Sequence, residues 1–282
     1  MECHALTTEQ FEDFSALIAG TLGIKMPPGK RVMLQSRLQR RLRELGLDSF
    51  ADYHARFFHD PEHQAAELEH LLNLATTNKT DFFREPDHFE VLVREALAGW
   101  RRDRPAAVFR VWCAGCSTGE EAYTLAMTLL EQQAHGGFEF SILATDVSTR
   151  VLQIAMDGIY AEERIAPIPL ALRAKYLLRR SDPGHAEVRI APEVRAHVRF
   201  GHLNFLVPDY GIREVMDVIF FRNVMIYFDR PTQQQVVSRM CRHLRPEGYL
   251  FTAHAETLQG LGLPLRSAGT AVYRLNSLVS PA

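Results

Sequence analysis

A chain of 282 residues can hold one large α/β domain together with a smaller one. Hydrophobic residues at 46% and charged residues at 23% are ordinary for a globular protein, and a formal net charge of −2 gives no overall pull toward nucleic acid. No apolar run approaches the roughly 18 residues of a membrane helix, and the start MECHALTTEQFEDF lacks basic residues ahead of an apolar core. The expectation is a cytoplasmic protein with reduced cysteines, without membrane insertion and without a nucleic-acid partner.

The first part reads as helical. Thr7 and Gln10 have capping-box spacing, and Phe11, Phe14, Leu17 and Ile18 follow with helical period. Met26-Pro27-Pro28-Gly29 breaks the pattern. A second helix is expected over 30–45, with Leu34, Leu38, Leu42 and Leu45 in one stripe and Gly46 as stop signal. A third is expected over 49–59 and a fourth over 62–74, separated by Asp60-Pro61. From Val108 short apolar strands alternate with helices: strands over 108–112, 138–145, 217–221, 249–253 and 271–275, helices over 122–133, 147–159 and 231–244. That alternation predicts a doubly wound, mostly parallel sheet covered on both faces. Between 175 and 200 the segments 176–178, 188–190 and 194–200, with the turn Ser181-Asp182-Pro183-Gly184, predict a small antiparallel insertion. The expected domains are 1–88 and 89–282, the insertion lying in the second.

The loop Cys113-Ala114-Gly115-Cys116-Ser117-Thr118-Gly119-Glu120-Glu121 joins a strand to a helix, where open α/β folds bind nucleotides. It is neither a G-x-G-x-x-G fingerprint nor a P-loop. Two glutamates at the helix start would repel a pyrophosphate. A nucleoside without phosphates, such as S-adenosylmethionine, fits better. Asp146, at the end of the second strand, stands where such folds hold ribose hydroxyls.

Three stretches are more specific. Thr76-Thr77-Asn78-Lys79-Thr80-Asp81-Phe82-Phe83-Arg84-Glu85 resembles the interdomain signature of chemotaxis receptor methyltransferases, the CheR family. Ser117-Thr118-Gly119-Glu120-Glu121-Ala122-Tyr123 resembles its cofactor loop. Phe220-Phe221-Arg222-Asn223-Val224-Met225-Ile226-Tyr227-Phe228-Asp229 resembles its most distinctive run. Asp146 and Gly158-Ile159-Tyr160 fall in order, and the resemblance spans essentially the whole chain.

The resemblance implies a class I S-adenosylmethionine-dependent methyltransferase fold, a Rossmann-like doubly wound sheet, with a small all-α N-terminal domain. It implies a cofactor pocket lined by Asn78, Thr80, Arg84, Glu121, Asp146, Asn204, Phe205, Arg222 and Asn223. Glu121 is the expected ligand residue, with Glu120 helping the helix start. Arg84 and Tyr227 are implied at the reacting centre, where receptor glutamates become methyl esters and S-adenosylhomocysteine is released. A glutamate carboxylate, with a reference pKa of about 4.3, is already ionised at neutral pH and needs no general base. Tyr227 could orient it, and Arg84 is better suited to positioning than to tight binding of the attacking oxygens.

Arg37, Arg40 and Arg41 fall within one arc of the second helix. A solvated helix face would carry the same charges, but the resemblance favours contact with acidic receptor helices. Relatives tethered to a receptor's C-terminal pentapeptide have a glycine-rich turn in the insertion. Here it reads Arg179-Arg180-Ser181-Asp182-Pro183-Gly184, so the tether is not expected. Cys113 and Cys116 form a C-x-x-C that could suggest redox chemistry or half a zinc site. No second pair accompanies it, and small-residue packing is the expected role, without a bound metal. The rival readings are a nicotinamide or flavin oxidoreductase, a sensor of S-adenosylmethionine or receptor scaffold without turnover, and the same chemistry on a related receptor of a pathway outside motility; a monomer is expected.

Overall fold

A computed structural model describes residues 5–104, 106–179 and 186–277. Contacts divide the chain into two units, Met1–Thr77 with Tyr227–Thr232, and Asn78–Ile226 with Gln233–Ala282. The segment 78–88, placed with the helical part in the sequence reading, thus groups with the larger unit.

The smaller unit contains α1 (Thr8–Leu22), α2 (Arg31–Leu45), α3 (Phe50–His59) and α4 (Pro61–Ala75). The Thr7–Gln10 capping box forms in full. Ser49 and Asp60 cap α3 and α4, and Gly46 ends α2 in the left-handed conformation. One 3-10 turn, Pro28–Lys30, precedes α2. Phe14 is buried against Tyr53, Phe57 and Phe58, with ring centroids 5.9, 5.7 and 5.3 Å away.

The larger unit opens with α5 (Asp87–Val91), π-type turns over Leu92–Leu97 and α6 (Ala98–Asp103), a helical stretch the sequence reading left unassigned. There follow β1 (Val108–Ala114), α7 (Glu120–Ala134), β2 (Glu139–Asp146) and α8 (Thr149–Asp157). Next come β3 (Ile159–Ala161), α9 (Leu170–Tyr176), β4 (Leu177–Arg179), β5 (Glu187–Ile190) and α10 (Pro192–Arg195). The chain continues through β6 (Val198–His202), β7 (Met216–Phe220), α11 (Arg230–Arg242), β8 (Leu244–Phe251), β9 (Leu265–Gly269) and β10 (Val272–Leu275).

The large sheet has the order β6-β2-β1-β7-β8-β10-β9. The first five strands pair in parallel, and β10 runs antiparallel to both β8 and β9. All five residues of β7 are buried, as expected of a central parallel strand covered on both faces. Phe109, Val111 and Cys113 of β1 join one core with Phe89, Trp100, Tyr123 and Leu125. Trp112, pointing the other way, meets Phe205, Tyr210 and His243. Both tryptophans, given no role by the sequence, are core residues.

The insertion is a three-stranded antiparallel sheet, β3-β5-β4. Its composition corrects the sequence expectation. The segment 194–200 does not join it: α10 occupies its start, and β6 pairs with β2 at the edge of the large sheet. The third strand of the insertion is β3, whose first residue, Ile159, was expected to close a helix and whose other two were unassigned; Gly158, left-handed at φ 61°, ends α8 before it. Alternating apolar residues suit either sheet, and only the available edges decide the pairing. The turn 181–184 lies outside the described residues, as does Arg180.

Candidate functional site

Counted in chain order within the large sheet, the strands run 3-2-1-4-5-7-6, and the order reverses beside β1. Ligands of open α/β sheets bind at that reversal, outside the carboxyl ends of the strands. The turn 115–119 lies there. The amides of Gly115 and Cys116 donate to the Thr145 carbonyl at 2.7 and 2.9 Å, tying the turn to β2. Asp146 fastens it further: Oδ2 accepts from the Ser117 amide at 2.8 Å and Oδ1 from the Ser148 amide at 2.9 Å. Burial pushes the Asp146 carboxyl up, opposed by these amides. The acid expected to receive ribose hydroxyls is therefore also the bracket that shapes the turn.

Two glycines are required by space as well as by dihedral angle. A Cβ on Gly115 (φ 83°) would lie 2.4 Å from Cγ2 of Val224. On Gly119 (φ 97°) it would lie 2.9 Å from both the Ala155 Cβ and the Tyr160 hydroxyl.

The paired glutamates separate into two roles. Glu120 is buried, ion-paired with Arg164 and accepting from the Thr118 hydroxyl at 2.6 Å. Glu121 keeps some exposure, takes the Cys113 thiol at 3.3 Å, and stands 3.3 Å from Nε of Arg222. Burial raises the Glu121 carboxyl, and Arg222 opposes the rise. One carboxylate is neutralised and the other is held by a buried cation. That setting suits an uncharged or cationic ligand and disfavours a phosphate, as the physical fit of S-adenosylmethionine requires.

The 78–85 signature folds as a strained loop against the same turn. The Asn78 carbonyl accepts from the Ser117 hydroxyl at 3.2 Å, and the Thr80 carbonyl from Arg164 at 3.1 Å. Phe83 and Glu85 both have positive φ, 53° and 55°. For side chains of this size that conformation costs about 1 kcal/mol or more and persists where surroundings impose it. Arg84 donates to the Lys79 carbonyl at 3.3 Å, and its own carbonyl accepts from Arg222 at 2.5 Å. Arg222 is thus a hub, its side chain fully buried, with Glu85 3.4 Å away on its other side.

The amide of Leu203 donates to the Asp146 carbonyl at 2.9 Å, which brings Asn204 and Phe205 to the end of β2. Asn204 accepts from the Leu206 amide at 2.9 Å, while Phe205 is buried beside Trp112 and Phe221. Asn223 is left-handed at φ 62°, and its amide donates to Glu256 at 3.0 Å. The cofactor residues named from the sequence therefore converge on the carboxyl ends of β1, β2 and β7. The sequence reading missed Glu85, Arg164 and Glu256. The first lay inside a quoted motif; the other two had only their places after a strand as a signal.

Tyr227 belongs to the helical unit. Its hydroxyl donates to the Thr77 carbonyl at 3.0 Å, and Lys30 lies 5.5 Å from its ring centroid. The basic arc of α2 is not a uniform ridge. Arg37 donates to the carbonyls of Leu74 and Thr76 at 2.5 and 2.8 Å, closing the end of α4. Arg41 grips Glu67 at 2.9 and 2.6 Å. Of the three, Arg40 faces solvent, 82% exposed, beside Glu44. Spacing put the three arginines on one side of α2 but could not tell that α4 would lie along part of it.

Burial pushes the Glu67 carboxyl up, but hydrogen bonds and charge from Arg41 prevail and leave it below the ordinary value. The pair therefore stabilises the unit above the usual carboxylate range, and that contribution is lost as pH falls through the lowered value. Arg41→Ala is expected to reduce unfolding stability by about 3 kcal/mol at pH 7, with the difference from the parent shrinking in acid. Urea titrations at pH 7 and pH 4 measure this; equal losses at both would contradict it.

Cys113 and Cys116 are buried free thiols, and burial pushes both well up, which leaves them protonated and suited to packing. Glu85, His88 and His254 bring ligand atoms within 4.8 Å of one another, a cluster that sequence spacing did not reveal. Arg222 already stands 3.4 Å from Glu85, and His254 pairs with Asp87 at 3.0 Å, so two of the three groups are already engaged by neighbours outside the cluster. Among the described residues no helix is long and apolar enough to cross a membrane.

Comparison with known proteins agrees with the geometry. Residues 78–273 match the family model for the CheR methyltransferase SAM binding domain, and residues 9–76 match that for the CheR methyltransferase all-alpha domain. Chemotaxis protein methyltransferase 2 of Pseudomonas aeruginosa is 40% identical over 95% of this chain and 93% of its own. The chemotaxis protein methyltransferases of Klebsiella aerogenes and Escherichia coli are 38% and 37% identical, each over 96% of this chain and 90% and 92% of theirs. Among solved structures, the CcbJ methyltransferase of Streptomyces caelestis matches 60% of this chain and 52% of its own at 18% identity. Its TM-score of 0.35 is too slight to bear on the site. With both of its parts matched and a cofactor turn built for S-adenosylmethionine, this chain belongs to the CheR methyltransferase family.

Proposed function

We propose that this methyltransferase esterifies glutamate side chains on the cytoplasmic helices of chemotaxis receptors. The observation that carries the proposal is the likeness, end to end, to chemotaxis protein methyltransferases. The cytoplasm is then its place of action, and S-adenosylhomocysteine its second product. The cofactor would be held by Asn78, Thr80, Arg84, Glu121, Asp146, Asn204, Phe205, Arg222 and Asn223.

S-adenosylmethionine supplies a methyl group on a cationic sulfur. The residues named have to orient it and exclude water that would blunt an attacking carboxylate. Glu121 is suited to a cationic ligand group, since Arg222 keeps the carboxylate in place without covering it. Asp146 holds the turn while leaving lone pairs for hydroxyl donors. When bound, the cationic sulfur would give its methyl group to an acceptor glutamate oxygen and keep the carbon–sulfur bonding pair. No proton moves, because the acceptor is already ionised. Arg84 and Tyr227 are proposed to position the acceptor. On α2 the proposed receptor contact is carried by Arg40, since Arg37 and Arg41 are engaged internally.

Transfer of labelled methyl to receptor cytoplasmic fragments tests the proposal. Label that leaves as methanol in base, and is not incorporated when acceptor glutamates are replaced by alanine, is the expected result. Base-stable label, or incorporation independent of those glutamates, would refute it.

A further inference from the structure

We propose that Glu256 is a positioning residue for the cofactor, acting through the backbone of Asn223. This rests on Asn223 lying against the cofactor. The carboxylate is 7% exposed and sits just past the carboxyl end of β8, next to that of β7. Its Oε2 accepts from the amides of Asn223 at 3.0 Å and Ala253 at 2.9 Å. The amides of Met225 and Ile226 also favour its charged form, against burial, which raises its pKa. One buried acid thus gathers the chain 223–226 onto the end of β8.

The turn needs such a clamp. Asn223 is left-handed at φ 62° directly after the buried Arg222, and Val224 presses against Gly115 of the cofactor turn. Asparagine tolerates that conformation better than most residues, yet it still prefers negative φ. The Asn223 amide has turned toward the interior, away from any strand ladder, and needs a buried acceptor there. Removing that acceptor takes the partner from the Asn223 amide and from the buried Ala253 amide and lets the 223–224 segment relax, which shifts Asn223 and unlocks Val224 from Gly115. Glu256 touches neither reacting atom, so its influence should appear in cofactor affinity.

The test is a double-mutant cycle read by calorimetric binding of S-adenosylhomocysteine, with no receptor present, so its result is independent of what the enzyme methylates. Glu256→Ala is expected to weaken binding about tenfold, the loss of roughly one to two buried hydrogen bonds. Glycine adopts positive φ without support, so in an Asn223→Gly background the same change should weaken binding less than about threefold. Glu256→Gln, which keeps an acceptor oxygen for both amides, should bind within about threefold of the parent, and it serves as the test should the alanine variant fail to fold. A loss of the same factor in both backgrounds would overturn the proposal, as would a glutamine variant no better than alanine.

Discussion

Arg222→Ala is expected to abolish measurable binding of S-adenosylhomocysteine and to lower unfolding stability by about 3–5 kcal/mol at neutral pH. The guanidinium is fully buried between Glu121 and Glu85, donates to the Arg84 carbonyl, and lies 5.8 and 5.9 Å from the Phe89 and Phe220 ring centroids. Alanine would leave two carboxylates without the cation between them and the Arg84 carbonyl without its donor. Glu121 is already pushed up by burial and held down by Arg222. In the variant its carboxyl should rise further. A folded acid with a raised pKa binds more protons than the unfolded chain, so stability falls as pH rises. The cost of the substitution should therefore be larger at pH 8 than at pH 5. Arg222→Lys keeps the charge but loses the planar fork, and should fall between parent and alanine. Denaturant titrations at the two pH values, with calorimetry beside them, measure the effect. A variant within about 1 kcal/mol of the parent that still binds would refute the hub role.

Gly115→Ala is expected to weaken cofactor binding at least about tenfold through an overlap that the neighbour cannot relieve. The added Cβ would sit 2.4 Å from Cγ2 of Val224, whose β-branched side chain has little rotamer freedom. Val224→Ala removes that methyl and leaves the nearest remaining atom at 3.8 Å. The double variant should recover most of the affinity and retain only the cost of positive φ, about 1 kcal/mol. At Gly119 no comparable rescue is expected, because the added atom meets the Ala155 backbone at 3.1 Å as well as two side-chain atoms. Failure of Val224→Ala to improve the Gly115 variant would show that the dihedral angle alone governs the turn.

The two glycines show how unevenly the sequence disclosed this protein. A strand, a turn of small residues and a helix were legible because each depends on local rules: β-branched and aromatic alternation, glycine at positive φ, carboxylates at a helix start. The same locality made α1 to α4 readable from caps and stripes, and the long motifs carried the family. By itself, then, the sequence determined most of the element types, though not the helical stretch from α5 to α6, α10 or β3, together with the parallel character of the large sheet and the place of the glycine turn after β1. The tertiary structure alone decided which edge each short strand joined, so that β6 went to the large sheet and β3 to the insertion. It alone decided which arginines of α2 were spent on α4, and that Arg222, Glu85 and Glu256 form the support beneath the turn. The physical reason is common to all of these. Strand edges, buried ion pairs and amides turned inward are satisfied by partners tens to hundreds of residues away, and a charge on a helix face reads the same in sequence whether water or a buried carboxylate meets it.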